Sequence, residues 1–141
     1  MIILDTNIIS EAMQPVPAPE VLRWLDQLRP EDQFFLTTIT IAEILYGIEI
    51  LPKGKRRDKL LAETEDMFTE EFEGRFLGFD EEAAHAFTQI AAMRRSQGRP
   101  ITEFDAQIAA IARSRGAALA TLNTADFEGC GLRLISPWQI S

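Results

Sequence analysis

Oxygen-bearing side chains stand beside short apolar runs in this sequence, and the first of them is in the opening stretch "MIILDTNIIS". Asp5 follows four apolar residues directly, and burying its carboxylate is costly unless something compensates the charge. Others are Glu43 in "TITIAEIL", Asp105 in "PITEFD", and Asn123 and Asp126 after "ALATL". Carboxylates on separate segments are the kind of donor set that a hard divalent cation requires.

The elements that would position these residues alternate between apolar runs and stretches of helical period, which is typical of a βαβ protein. The apolar runs predict strands at Ile2–Leu4, Phe34–Thr37, Arg75–Phe79, Ala118–Leu122 and Leu132–Ile135. The periodic stretches predict helices at Glu20–Leu28, Ile41–Leu51, Lys55–Phe72, Glu81–Gln97 and Glu103–Arg115. We therefore expect an α/β fold, a three-layer α/β/α domain with a mainly parallel central sheet of about five strands. The first and fourth strands are apolar on both faces and should be central.

In such a sheet, the carboxyl ends of the strands and the amino ends of the helices share one edge, where ligands bind. Asp5, Asn123 and Asp126 follow strands, whereas Glu43 and Asp105 are expected in the first turns of helices. We therefore expect these side chains to share one site. Mg²⁺, or Mn²⁺ in its place, suits such oxygen ligands better than zinc, because the chain has one His and one Cys and so no cluster of either.

Each acid also has a purely structural interpretation as a helix cap. Asp5 could cap the helix that follows it. The run "TIAE" forms a capping box from Thr40 to Glu43, and "TEFD" forms a similar box that ends at Asp105. A cap is the simpler interpretation of any one residue, but several caps at one edge would crowd negative charge that capping does not require. Asp80, after "FLGF", is interpreted as a plain N-cap.

Composition and charge narrow the function classes. A chain of 141 residues, 46% hydrophobic and 26% charged, fits a single domain, which we expect to span residues 1–141. The net charge of −8 argues against a protein that coats nucleic acid through its overall field, although a metal-dependent nuclease is still allowed. The sequence shows no membrane-spanning run and no signal-peptide pattern, and its single cysteine suits a reducing compartment. We therefore expect a cytoplasmic protein.

Taken in order, these motifs resemble those of PIN-domain proteins, in particular the VapC-type toxins of bacterial toxin–antitoxin pairs and their FitB-like branch. The stretch "MIILDTNIIS" resembles the family's opening strand and first acid. The second motif is matched by "TITIAEILYGIEIL", in which Tyr46 and Gly47 follow Glu43. The third and fourth are matched by "ITEFDAQIAAIARSRGAALATLNTADFEGCGLRLISPW". The resemblance covers nearly the whole chain.

This resemblance implies a Mg²⁺-dependent endoribonuclease, usually a homodimer, that is inhibited by a cognate antitoxin. The antitoxin would be a small DNA-binding protein with a basic or arginine-bearing segment. The resemblance also implies that Asp5, Glu43 and Asp105 are catalytic acids and metal ligands. For the fourth acid it favours Asp126, with Asn123 as the alternative.

Other polar residues could assist such a site. Thr6 and Asn7 can orient Asp5 or contact phosphate, and Thr6 can equally be an ordinary first-turn residue. Two basic clusters could hold RNA: "KGKRR", from Lys53 to Arg57, and the group of Arg94, Arg95 and Arg99. Most such clusters are simply solvated surface.

Two rival functions are also compatible with parts of the pattern. Haloacid-dehalogenase-like phosphatases and receiver-like domains place an aspartate after the first strand, as Asp5 is placed. The phosphatases need a second aspartate where this chain has Asn7, and neither class explains Glu43 with its neighbouring Tyr46 and Gly47. The non-enzymatic rival is a PIN-like RNA- or protein-binding module without turnover.

Overall fold

The computed structural model describes residues 1–139, which form five strands and six α-helices. In chain order these are β1 (Ile2–Leu4), α1 (Thr6–Ala12), α2 (Pro19–Asp26), β2 (Phe34–Thr37), α3 (Thr38–Glu49), α4 (Lys55–Glu70), β3 (Phe76–Leu77), α5 (Glu81–Ser96), α6 (Glu103–Ser114), β4 (Ala118–Ala120) and β5 (Leu134–Ile135). Within that range, no helix combines the length and the apolar character needed to cross a membrane.

The sheet has the strand order β3-β2-β1-β4-β5, and all four neighbouring pairs are parallel. The prediction of an α/β fold with a mainly parallel sheet of about five strands is therefore confirmed. The chain builds the sheet outward from β1 to β3 on one side and then returns to add β4 and β5 on the other. The order thus reverses between β1 and β4, and such a switch point opens a crevice at the carboxyl ends of the strands.

Helices cover both faces of the sheet, because successive strand residues point to opposite sides. Ile3 of β1 and Leu119 of β4 pack with α5 and α6, whereas Leu4 and Ala120, one residue further along each strand, pack with α1 to α4. All four of these side chains are buried. The predicted three layers and the central position of β1 and β4 are confirmed.

Several predicted element boundaries were wrong. Strands β3, β4 and β5 are shorter than predicted, and α4 ends at Glu70 rather than at Phe72. The start of α3 follows from local capping. Helix α3 begins at Thr38 rather than at Ile41, because the Thr37 hydroxyl accepts a hydrogen bond from the Thr40 N–H at 3.1 Å and so caps the helix earlier. At the other ends, Gly98 and Gly116 follow α5 and α6 with φ near +71° and +64°, a conformation that favours glycine. The predicted ends of these helices, Gln97 and Arg115, are each one residue beyond the observed ends, Ser96 and Ser114.

Helix α5 does not run in the direction that a simple βαβ unit would give it. Its N-cap, Asp80, lies within 3.3 Å of the guanidinium of Arg115, the residue that ends α6 just before β4. Arg94, in the last turn of α5, instead reaches the segment that follows β4. The helix therefore begins at the amino edge of the sheet and ends at the carboxyl edge, antiparallel to α6.

Candidate active site

A cavity of about 390 Å³ opens at the carboxyl edge of the sheet, at the switch point between β1 and β4. Its lining includes five carboxylates, from Asp5, Glu11, Glu43, Asp105 and Asp126. The three acids matched by the first three motifs therefore share one edge with Asp126, as the alternation of strands and helices predicted. Each arrives on a different element, so the tertiary fold and not the local sequence brings them together.

Asp5 is held by both of its carboxylate oxygens. One oxygen accepts a hydrogen bond from the Thr6 N–H at 2.8 Å, and the other accepts from the Thr121 hydroxyl at 2.8 Å. Only 4% of the residue is exposed. Burial, together with the negative charges of Asp105 and Glu43, raises the pKa of Asp5 to about 6, although the two hydrogen bonds oppose this. Asp5 occupies the N-cap position of α1, but its carboxylate is also hydrogen-bonded to Thr121, which directly follows β4.

Glu43 is not a helix cap. The predicted capping box from Thr40 to Glu43 is wrong because α3 starts at Thr38, which puts Glu43 in the second turn. Its carboxylate instead accepts a hydrogen bond from the Thr6 hydroxyl at 2.8 Å. Burial raises the pKa of Glu43, the Thr6 hydrogen bond lowers it, and the charge of Asp105 raises it further. The interpretation of Glu43 as a helix cap is therefore wrong.

Asp105 stands in the first turn of α6, as predicted. The Thr102 hydroxyl accepts a hydrogen bond from the Asp105 N–H at 3.3 Å, so Thr102 caps the helix and the Asp105 carboxylate lines the cavity. Burial and then the charge of Asp126 raise the pKa of Asp105, against the lowering effects of Thr102 and Arg94. The carboxylate thus interacts electrostatically with acids on both sides of it.

The two alternatives for the fourth acid lie side by side on the turn after β4. The Asn123 amide donates a hydrogen bond to the Asp126 carboxylate at 2.8 Å, and Asp126 is the one that lines the cavity. Both side chains are exposed. Of the two alternatives, Asp126 is therefore the one that the cavity contains, and its carboxylate is bound by the Asn123 amide.

Thr121 was missed by the sequence analysis. Its buried hydroxyl donates to Asp5 and accepts hydrogen bonds from the Asn7 side-chain amide at 3.2 Å and from the Asn123 N–H at 3.1 Å. The side-chain oxygen of Asn7 in turn accepts a hydrogen bond from the Leu122 N–H at 3.2 Å. Asn7 and Thr121 therefore join the ends of β1 and β4. A threonine at the end of an apolar strand gives no signal of this role unless strand order is known.

Asp80 lies beside Arg115, at the end of α6 opposite to Asp105. About 15 Å of helix separates Arg115 from Asp105. Its carboxylate accepts a hydrogen bond from the Ala83 N–H at 2.9 Å and pairs with Arg115. The interpretation of Asp80 as a plain N-cap is confirmed.

The donor chemistry of the cavity fits a hard cation, although the carboxylates are not gathered into a cage. Within residues 1–139, no three His, Cys, Asp or Glu side chains lie close enough together to form a ready metal-holding group. The acids that line the cavity nevertheless offer only oxygen, which suits Mg²⁺ or Mn²⁺. His85 is exposed on α5 and Cys130 is buried in the core, both away from the cavity lining.

The arginines of the two basic clusters differ in their exposure and in their partners. Arg94 is only 5% exposed and donates to backbone carbonyls, so its inclusion among candidate RNA contacts was wrong. In the other cluster, Arg57 pairs with Glu49 at 2.9 Å. Arg56 is exposed and lines a second cavity, which shares Glu43 with the acidic one.

Comparisons with known proteins agree with this architecture. A family model described as "PIN domain" matches residues 2–128. The chain is 38% identical over 139 residues to "Toxin FitB" of Neisseria gonorrhoeae and 37% identical over 139 residues to "VapC ribonuclease Y4jK" of Sinorhizobium fredii, each alignment covering 99% of both chains. The fold is also similar to the crystal structure of FitAcB from Neisseria gonorrhoeae, with a TM-score of 0.92, 36% identity, and 99% and 100% of the two chains covered.

Proposed function

Because the chain belongs to the PIN-domain family, we propose that it is a metal-dependent endoribonuclease and the toxin of a toxin–antitoxin pair. The observation that carries this proposal is the convergence of Asp5, Glu43, Asp105 and Asp126 around one cavity at the switch point of the sheet. The similar protein named a VapC ribonuclease supports RNA as the substrate class. The match to the PIN-domain family also favours this proposal over the phosphotransfer alternative.

Asp5, Glu43 and Asp105 would hold Mg²⁺, or Mn²⁺, with Asp126 as the fourth acid. When bound, the cation supplies charge neutralisation of the phosphate, a lowered pKa for a coordinated water, and stabilisation of the leaving oxygen. Burial, and after it the charges of neighbouring carboxylates, raises the pKa of Asp5, Glu43 and Asp105, and a bound cation would offset both effects.

The residues around the acids keep the carboxylates oriented. Thr121 and the Thr6 N–H fix the two oxygens of Asp5, and the Thr6 hydroxyl fixes Glu43. Asn123 holds Asp126 in the same way. Orienting hydrogen bonds to ligating carboxylates are typical of metal sites, and their loss usually weakens metal affinity.

We assign Arg56 to the path of the RNA. The cavity carboxylates repel the negative charge of an approaching phosphodiester. A positively charged side chain close to them, but outside the cluster of acids, therefore favours RNA binding. Arg56 lines the second cavity, which adjoins the acidic one through Ser10, Gln14 and Glu43. Arg57 is already paired with Glu49, which leaves Arg56 as the member of "KGKRR" best placed to contact a neighbouring phosphate.

A cognate antitoxin would neutralise the protein by charge as well as by shape. The chain carries a net charge of −8, and a basic segment with an arginine aimed at the acids would form charge-assisted hydrogen bonds there. The similar protein named Toxin FitB and the solved structure titled FitAcB support a toxin role. The homodimer and the cytoplasmic location expected from the sequence stay predictions.

The proposal is tested by RNA cleavage with protein purified free of antitoxin. We expect cleavage with Mg²⁺, its loss in EDTA, and its recovery when Mg²⁺ is restored. Asp105→Asn should abolish cleavage, whereas Glu103→Gln, an exposed acid in the same helical turn outside the cavity, should leave it unchanged. RNA binding without cleavage by the wild type under all these conditions would instead support the non-enzymatic binding module.

A further inference from the structure

Arg94 is a buried arginine whose role the proposed nuclease mechanism does not explain. It lies in the last turn of α5 and is 5% exposed. Its guanidinium donates to the carbonyl oxygens of Arg99 at 2.7 Å, Asp126 at 2.7 Å and Glu128 at 3.2 Å, and it contacts the Cys130 sulfur at 3.7 Å. Across residues 1–139, no carboxylate lies within ion-pairing distance of this guanidinium.

The partners of Arg94 belong to two segments that each lead to a cavity acid. Asp126 and Glu128 lie on the turn after β4, and the Asp126 carboxylate faces the cavity while its carbonyl accepts from Arg94. Arg99 lies in the connection from α5 to α6, and α6 carries Asp105 in its first turn. One guanidinium therefore fastens the backbone of Asp126 to the segment that sets the position of Asp105.

A second, weaker tie joins the same two segments at the surface. The Arg99 side chain donates to the Ala125 carbonyl and to the Glu128 carboxylate, both at 3.3 Å. That ion pair is exposed, so it should contribute little. The three bonds from Arg94 to carbonyl oxygens, at 2.7, 2.7 and 3.2 Å, are shorter, and the residue is only 5% exposed, which makes Arg94 the principal tie between the two segments.

We propose that Arg94 is a positioning residue, which sets the separation of the Asp126 and Asp105 carboxylates by clamping the turn after β4 to the α5–α6 connection. This inference rests on the proposed function, because it assumes that these acids hold a cation. Arginine suits the role because its planar fork offers several donors at fixed angles, which a lysine ammonium on a flexible stem cannot reproduce. The positive charge of Arg94 also lies close enough to Asp105 to lower the pKa of that carboxyl.

The test compares Mn²⁺ binding, measured by calorimetry, in full-length variants at a temperature where circular dichroism shows each to be folded. Arg94→Met removes the donors, and Arg94→Lys is the milder variant for use if the methionine form does not fold. Ile90→Val is the matched control, because it loosens the same core cluster one turn earlier on α5 but removes none of the hydrogen bonds from Arg94 to the turn after β4. We expect Arg94→Met to raise the half-saturating Mn²⁺ concentration about tenfold or more, Arg94→Lys by a smaller factor, and Ile90→Val less than about twofold.

A double-mutant cycle separates positioning from a general structural role. If Arg94 acts through Asp126, Arg94→Met should add less than about twofold to the half-saturating concentration in an Asp126→Ala background, because the two effects then overlap. Hydrogen exchange supplies a readout without metal, and the amides of residues 124–130 should exchange faster in the Arg94 variants than in Ile90→Val. Unchanged Mn²⁺ binding in a folded Arg94 variant, or a full effect in the Asp126→Ala background, would overturn the inference. Failure of the wild type to bind Mn²⁺ would instead overturn the proposed function.

Discussion

The Thr6 hydroxyl donates a 2.8 Å hydrogen bond to the Glu43 carboxylate, across 37 residues of sequence. The backbone N–H of the same threonine donates to Asp5. One residue therefore orients the acids of the first and the second motif together. Any residue at this position could donate its backbone N–H to the N-cap Asp5, but the bond to Glu43 needs the threonine hydroxyl, so that bond favours the positioning interpretation of Thr6 over the ordinary one.

Removing the Thr6 hydroxyl should weaken the site without removing an acid. In Thr6→Val the Glu43 carboxylate loses its donor, so we expect Mn²⁺ affinity and RNA cleavage each to fall about tenfold or more. Thr6→Ser keeps a hydroxyl and should retain most of both. Calorimetry and initial cleavage rates measure the two effects. Full activity in Thr6→Val would show that the bond to Glu43 has no role in the site.

Asp105→Asn and Asp5→Asn should both abolish Mg²⁺-dependent cleavage, but their stabilities should differ. Both oxygens of Asp5 accept hydrogen bonds, and asparagine can replace only one acceptor, so Asp5→Asn leaves the Thr6 N–H or the Thr121 hydroxyl without a partner. We expect a loss of about 1–3 kcal/mol in the cation-free protein, offset in part by the removed charge. Asp105→Asn relieves repulsion without that penalty, so its stability should be level or higher. Denaturant unfolding in EDTA measures both, and a lower stability for Asp105→Asn than for Asp5→Asn would contradict this account.

The pKa of Asp5 predicts how the cation-free protein responds to pH. Burial raises this pKa from 3.8 to about 6, so the folded chain binds the proton more tightly than the unfolded chain. The resulting stabilisation is fully present below about pH 4 and is lost as the pH rises through about 6, a change of about 3 kcal/mol for this group. Because the charge of Asp105 contributes to the shift, Asp105→Asn should lower the pKa of Asp5. Carboxyl carbon NMR titration in EDTA tests this, with Glu103→Gln as the variant in which the pKa should stay the same.

Arg56→Gln should weaken RNA binding by removing one phosphate contact. The measurement uses an Asp105→Asn background, which prevents cleavage. There we expect the slope of the logarithm of the binding constant against the logarithm of the salt concentration to become less steep by about 1, the contribution of one phosphate contact. Lys59→Gln is the control, because Lys59 is exposed on the same helix and does not line the cavity beside Glu43. Equal slopes in the Arg56 variant and the control would place the RNA elsewhere.

The two alternatives for the fourth acid can be separated by the size of their effects. Asp126→Ala removes a carboxylate from the cavity, whereas Asn123→Ala removes only the amide that holds it. We expect the larger loss of Mn²⁺ affinity in Asp126→Ala and a loss of about tenfold in Asn123→Ala. The reverse order would identify Asn123 as the ligand.

The sequence was a good guide where the chemistry depends on local pattern. Runs that are apolar on both faces correctly predicted β1 and β4 as central strands. The position of Asp5 and Asp126 just after predicted strands correctly placed both at the carboxyl edge of the sheet. The boundary of α3 was predicted less well, because "TTIT" offers several threonines that can cap a helix. Thr37 serves as the cap, and this choice is what moves Glu43 out of a capping box.

The sequence by itself assigned four acids to one edge of the sheet, since strand and helix ends lie there: Asp5, Glu43, Asp105 and Asp126. It did not indicate Glu11, the fifth carboxylate in the cavity lining. Tertiary structure alone decided which groups hold those acids. Thr121 reaches Asp5 because β4 pairs with β1, and no local pattern reveals that pairing. Arg94 is buried beneath Asp126 because α5 runs antiparallel to α6, so an arginine that looks like solvated surface in the sequence ends at the carboxyl edge. Contacts between distant segments depend on strand order and helix direction, and the packing of the whole chain sets both.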